Sequence, residues 1–123
     1  MNPKQFLKIG GAILVVVGIL GFFLIGPTED ASIFGPSWWF DSGENYAHLI
    51  IGIVGLIAAS MLGASSQKSL VMLLGVVGIV VGVYSIFSPS FLGANLENPA
   101  DTILHLAVGA WALYAAKKGS GMM

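Results

Sequence analysis

The sequence predicts an all-α membrane protein: four transmembrane helices in two tandem hairpins, with both termini on the cytoplasmic side. Three observations carry that expectation. Of 123 residues, 56% are hydrophobic and 9% charged, against roughly 25% charged in an ordinary soluble domain. Four apolar stretches, near 6–25, 45–62, 69–87 and 102–116, approach the roughly 20 residues that a helix needs to cross a bilayer. The charges are also sorted by sign along the chain, which gives the spans an orientation.

The first stretch follows Lys4 and Lys8. It is long for the apolar region of a signal peptide, and no convincing small-x-small cleavage site precedes Pro27, so a retained helix is expected. Pro27 and Pro89 stop the first and third spans, because proline cannot continue a helix interior. The fourth stretch is short at its strict apolar limits, and its helix is expected to begin a turn earlier, near Asn98 or Asp101. Between the first two spans lies a long loop, 27–42, with room for a short interfacial helix or re-entrant turn over 32–40. Its Trp38-Trp39-Phe40 cluster suits the headgroup zone as an aromatic anchor, ahead of a ligand-stacking role. Trp111 is expected to face a neighbouring helix or lipid. The tail 119–123 reads as a flexible end.

The five cations, Lys4, Lys8, Lys68, Lys117 and Lys118, fall at the amino terminus, the second loop and the carboxyl terminus. The six acids, Glu29, Asp30, Asp41, Glu44, Glu97 and Asp101, fall in or beside the first and third loops. With four spans these sets lie on opposite sides of the bilayer. The positive-inside rule then places both termini in the cytoplasm and the acidic loops outside, in the cell membrane.

The chain reads as one integral membrane domain, 1–123, built from a repeat of about 5–64 and a second of about 65–118. Lys8 and Lys68 each open a glycine-rich span, with Gly18 and Gly78 equally far beyond them. A hairpin used twice in one orientation implies a pseudo-two-fold axis along the membrane normal, relating the second helix to the fourth. Small residues recur at helical spacing: Gly11 and Gly18; Gly55, Ala59 and Gly63; Gly78 and Gly82; Ala112 and Ala116. Such residues let membrane helices approach closely, so tight bundle packing, or contact within a homo-oligomer or larger complex, explains them.

The second and fourth spans carry the two histidines of the chain. Glu44, His48 and Gly52 stand four apart, as do Asp101, His105 and Gly109, and residues four apart share a helix face. Each carboxylate is positioned to accept from one imidazole nitrogen and fix its tautomer, leaving the other nitrogen free. The plainest use is packing, with each histidine bonding across to a neighbouring helix or loop. A second use is a cofactor: two imidazoles at equal depth can ligate a haem or a chlorophyll-type pigment, with Gly52 and Gly109 making room for the ring. Alternatively, Glu44, His48, Asp101 and His105 converge on one divalent ion such as zinc or copper. A third use, proton or cation transport, has little support, since no charge lies deep in a span and no helix is broken at its midpoint.

Other classes are excluded. There is no cysteine, so disulfides and thiolate chemistry are absent. The sequence has no phosphate loop, nucleophile elbow or dinucleotide fingerprint, and no basic patch for nucleic acid. The expectation is a small non-enzymatic membrane protein, structural or accessory, with a histidine-ligated cofactor or metal protein as the alternative.

The segments Trp39-Phe40 through Glu44-Asn45 to His48 and Gly52, and Asn98-Pro99-Ala100-Asp101 to His105 and Gly109, resemble a family of small bacterial and archaeal membrane proteins. It is catalogued as domain of unknown function 4383. The likeness covers nearly the whole chain, although Thr102 stands where members often have Asn. It implies the four-span fold and brings no activity.

Overall fold

The computed structural model describes residues 1–91 and 93–119; the end expected to be flexible lies, from 120 on, outside the described residues. Helix α1 (Pro3–Phe23) starts three residues before its apolar stretch because Asn2 caps it. Gln5 N donates to Asn2 Oδ1 (2.9 Å) and Asn2 N to Gln5 Oε1 (3.0 Å), a reciprocal capping box with proline at the first helical position. Asp41 and Glu44 repeat the device at the head of α2 (Ser42–Met61). Helices α3 (Ala64–Phe87) and α4 (Ala100–Gly119) follow, the last beginning within the expected window. Both α1 and α3 stop shortly before their prolines.

The first loop holds a single 3₁₀ turn (Gly35–Ser37) inside the stretch where a short helix was expected. The third loop holds a feature with no sequence signal strong enough to anticipate it. Two short antiparallel strands, β1 (Ser90–Phe91) and β2 (Ala94–Asn95), pair Ser90 with Asn95. Gly93, at φ +84°, supplies the left-handed residue that this tight turn needs.

Three helices, α1, α2 and α3, are long and apolar enough to cross a membrane. Their exposed residues, among them Ile13, Val16, Ile50, Ile57, Val76 and Val80, present apolar surface outward, as lipid-facing helices do. Helix α4 is as long as α2 but does not join them on length and composition. Asp101, Thr102 and His105 at its start, and Lys117 and Lys118 at its end, dilute it.

Helix α1 packs along α2, and α3 along α4, whereas only a thin contact joins α1 to α3 and α4. Glycines set the close pairs. A Cβ on Gly52 would lie 2.8 Å from the Gly11 carbonyl, and one on Gly109 would lie 2.9 Å from that of Gly75. Higher up, Gly18 faces Leu49 and Gly82 faces Leu106. Gly11 thus corresponds in its contacts to Gly75, and Gly18 to Gly82. Gly18 and Gly78, matched by their distance from Lys8 and Lys68, do not play the same part; Gly78 lies instead against Gly109. Gly63, expected to extend the α2 stripe, meets nothing within 4 Å and serves as the residue preceding α3.

The hairpins meet in one buried cluster made of Phe6, Leu7, Ala58, Ala59, Val71, Ala112, Ala115 and Ala116. It sits where α1 and α3 begin and α2 and α4 end. Trp111 joins it, edge-on to Phe6 with ring centroids 4.5 Å apart. Gln67 Nε2 donates to the carbonyls of Ala58 and Ala59, satisfying the last turn of α2. Within the second hairpin, Ser85 and Thr102 share a buried hydroxyl–hydroxyl bond.

Candidate functional site

At the opposite end from the alanine cluster, the first and third loops are stitched together by carboxylates. Asp41 caps α2 through Oδ1, which accepts from Glu44 N at 2.8 Å, and its Oδ2 accepts from Asn95 N at 2.7 Å. Glu97 Oε1 accepts from Trp39 N at 2.8 Å, and its other oxygen bonds the Asn95 amide. Asp101 takes the Trp38 indole N–H on Oδ1 (3.2 Å) and Glu97 N on Oδ2 (2.7 Å). Bonds to an ionised acceptor are the stronger kind. This clasp joins the loop of the first hairpin to the loop and last helix of the second.

Burial pushes the Glu97 carboxyl above its ordinary value, opposed by the bond from the Trp39 backbone. Neighbouring Asp101 and Asp41 push in the same direction as burial, and the Asn95 side chain pulls the other way.

The Trp38-Trp39-Phe40 cluster, expected as an aromatic anchor, takes part in the clasp and its packing. Trp38 and Trp39 lend N–H groups to the clasp, while Phe40 is buried and stands edge-on to His48, centroids 5.5 Å apart. The Asp-x-x-Glu spacing of 41 and 44 was the readable signal, since it marks a capping box and so the start of α2. Nothing in the sequence marked Asn95 or Glu97 as partners of that first loop.

Between the hairpins, bounded by the clasp above and the alanine cluster below, lies a cavity of about 550 Å³. All four helices and the β1–β2 turn contribute to its wall, which is apolar except near the clasp. There Glu44, His48 and His105 line it together. The two histidines, expected at similar depth, do border one space.

The expected acid–imidazole pairs do not form. His105 Nδ1 bonds the backbone carbonyl of Asp101 at 2.7 Å, not its carboxylate, which is already occupied by Trp38 and Glu97. Glu44 turns back to the Asp41 N–H. Each acid is held at its helix start, where unpaired N–H groups attract it more closely than a ring one turn on. His48 Nδ1 is buried with no hydrogen-bond partner among the described residues. Gly52 and Gly109 do not open a notch beneath the rings: both are pressed against α1 and α3 inside their own hairpins, and neither lines the cavity. Gly55 and Gly78 do. Among the described residues, no three His, Asp or Glu side chains are grouped to hold a metal ion. Glu44, His48, Asp101 and His105 thus gather at one end without forming a ligand set.

The model for the family described as domain of unknown function 4383 matches residues 4–118. The chain belongs to that family. The resemblance read from the two acid–histidine segments holds over nearly the full length, and the family's description names no activity. No curated protein and no solved structure matches the chain. Family 4383 membership therefore fixes kinship, and the site has to be read from its own geometry.

Proposed function

We propose that this protein is a non-enzymatic accessory protein of the cell membrane that holds one lipid-soluble small molecule between its two hairpins. The observation that carries the reading is the shared cavity, whose volume falls within the range of about 300–1,000 Å³ usual for small-molecule sites. Its apolar wall with a few polar groups at one end is also the usual composition of such sites. In this reading α4 is the fourth span, the hairpins are tandem repeats, both termini are cytoplasmic and the clasp faces outward. The matching glycine contacts of the two hairpins and the lysines at the far end from the acids support that arrangement. The cell membrane is the host because a positive-inside charge pattern is read there.

Native mass spectrometry of the chain released from lipid nanodiscs tests the proposal. One retained small hydrophobic molecule is expected in the wild type. Ala47→Trp, which fills the outer part of the cavity, should lose it. A wild-type chain that retains nothing after incubation with membrane extract would sink the idea.

A second reading is supported by one bond. His105 Nδ1 donates to a backbone carbonyl, the arrangement that leaves Nε2 ready for a metal centre. A haem or chlorophyll-type ring between His105 and His48 would give a visible absorption band, lost in His48→Ala and His105→Ala. A colourless, metal-free protein would dismiss it.

A further inference from the structure

Resting on the ligand-holding reading, we infer that the occupant is a lipid alcohol: one apolar chain ending in a hydroxyl, with the hydroxyl between His105 and His48.

The shape of the cavity suits a chain. On α2 its wall runs from Gly43 to Gly55, about 18 Å at a helix rise of 1.5 Å per residue. It is polar only at the outer end, so an occupant with one polar end has a single orientation, head toward the clasp.

The hydrogen-bond inventory selects the head. A carbonyl only accepts, so the bond to the Asp101 backbone places the proton of neutral His105 on Nδ1 and leaves Nε2 a bare acceptor. Glu44, which accepts from the Asp41 N–H, borders the same end of the cavity. Neutral His48 brings one N–H to the same end of the cavity. Apart from these three side chains and Trp111, whose indole donates to Met1 at the inner end, the wall has no polar side chain among the described residues. A hydroxyl both donates and accepts, and so serves His105 and His48 at once. An ether accepts only, and leaves Nε2 of His105 unpaired. An ammonium donates only, and leaves the His48 N–H unpaired. A carboxylate or phosphate head, when ionised, only accepts, and leaves Nε2 of His105 unpaired as an ether does.

The test uses the purified full chain in nanodiscs, with tetradecanol, its methyl ether, tetradecylamine and myristate as probes, read by native mass spectrometry. Tetradecanol should bind roughly ten-fold more tightly than each of the others, the scale of one well-made hydrogen bond. His105→Phe should reduce tetradecanol to the level of the ether and leave the ether unchanged. Should that variant fail to fold, the wild-type ranking alone decides. Equal binding of alcohol and ether overturns the hydroxyl head while the ligand-holding reading survives. Tightest binding of the amine or of myristate overturns it likewise. Binding of none of the four overturns both.

Discussion

Trp38 Nε1 donates to Asp101 Oδ1 across 3.2 Å, tying the loop of the first hairpin to the opening turn of the last helix. Asp101 is 1% exposed and accepts a second bond, from Glu97 N, on its other oxygen. One buried carboxylate thereby holds the 97–101 turn to Trp38, which lies 63 residues away along the chain.

Replacing that carboxylate should loosen the outer end. Asp101→Ala strands two donors, each normally worth about 1.5–3 kcal/mol when bonded to a charged group. A loss of about 3 kcal/mol in unfolding free energy is expected in mild detergent. Asp101→Asn keeps one acceptor oxygen for one of the two donors and should lose clearly less. Equal losses for the two would show that the clasp does not depend on its acceptors.

Glu97 gives the clasp a pH dependence. Its folded carboxyl titrates above 4.5, first through burial. The folded chain then binds the proton more tightly than the unfolded chain, so stability falls as pH rises from 4.5 through the folded value. Thermal unfolding followed across that window should show this slope in the wild type and a flatter one in Glu97→Gln. An identical slope in the variant would assign the effect to another group.

The glycine contacts separate packing positions from tolerant ones. Gly52→Ala and Gly109→Ala each drive a methyl into a facing carbonyl, and each should cost about 1–3 kcal/mol, the usual range for overpacking. At Gly10 an added Cβ meets only the Phe6 ring, at an ordinary 3.7 Å. Gly10→Ala should therefore leave the melting temperature unchanged or slightly raised.

Gly21 and Asn45 are coupled. Asn45 is fully buried, neither polar atom of its side chain has a partner among the described residues, and its amide fills the space where a Gly21 Cβ would go. Gly21→Ala should destabilise the wild type yet be tolerated beside Asn45→Ala. A double-mutant cycle should give a coupling of at least about 1 kcal/mol, within the range for residues in contact. Additive losses would contradict this packing.

The orientation is accessible through the absence of native cysteine. Single cysteines at Ser37 and Ser65, both exposed, should label differently in intact cells. Ser37→Cys is expected to react with an impermeant maleimide, and Ser65→Cys only after permeabilisation. The reverse pattern would invert the topology.

The helices were legible because their signals are local. Apolar run length and the prolines after α1 and α3 each act within a few residues. The pairing of small residues was legible in kind but not in register. Gly18 and Gly78 look equivalent by distance from a lysine, whereas contact geometry equates Gly18 with Gly82. The clasp was not legible, since Asn95 and Glu97 reach Asp41 and Trp39 across separations of 54 and 58 residues. The acid–histidine pairing was misread for a physical reason. Spacing of four puts two side chains on one face, but a carboxylate in the first turn has nearer donors in the backbone.

The thin contact between hairpins bears on how such a chain is made. Helices α1 and α2 complete almost all of their mutual packing before any residue of α3 is needed, so the first hairpin can enter the bilayer as a finished piece. The alanine cluster and the clasp both need the second hairpin, so the space between the halves exists only once both hairpins are in place.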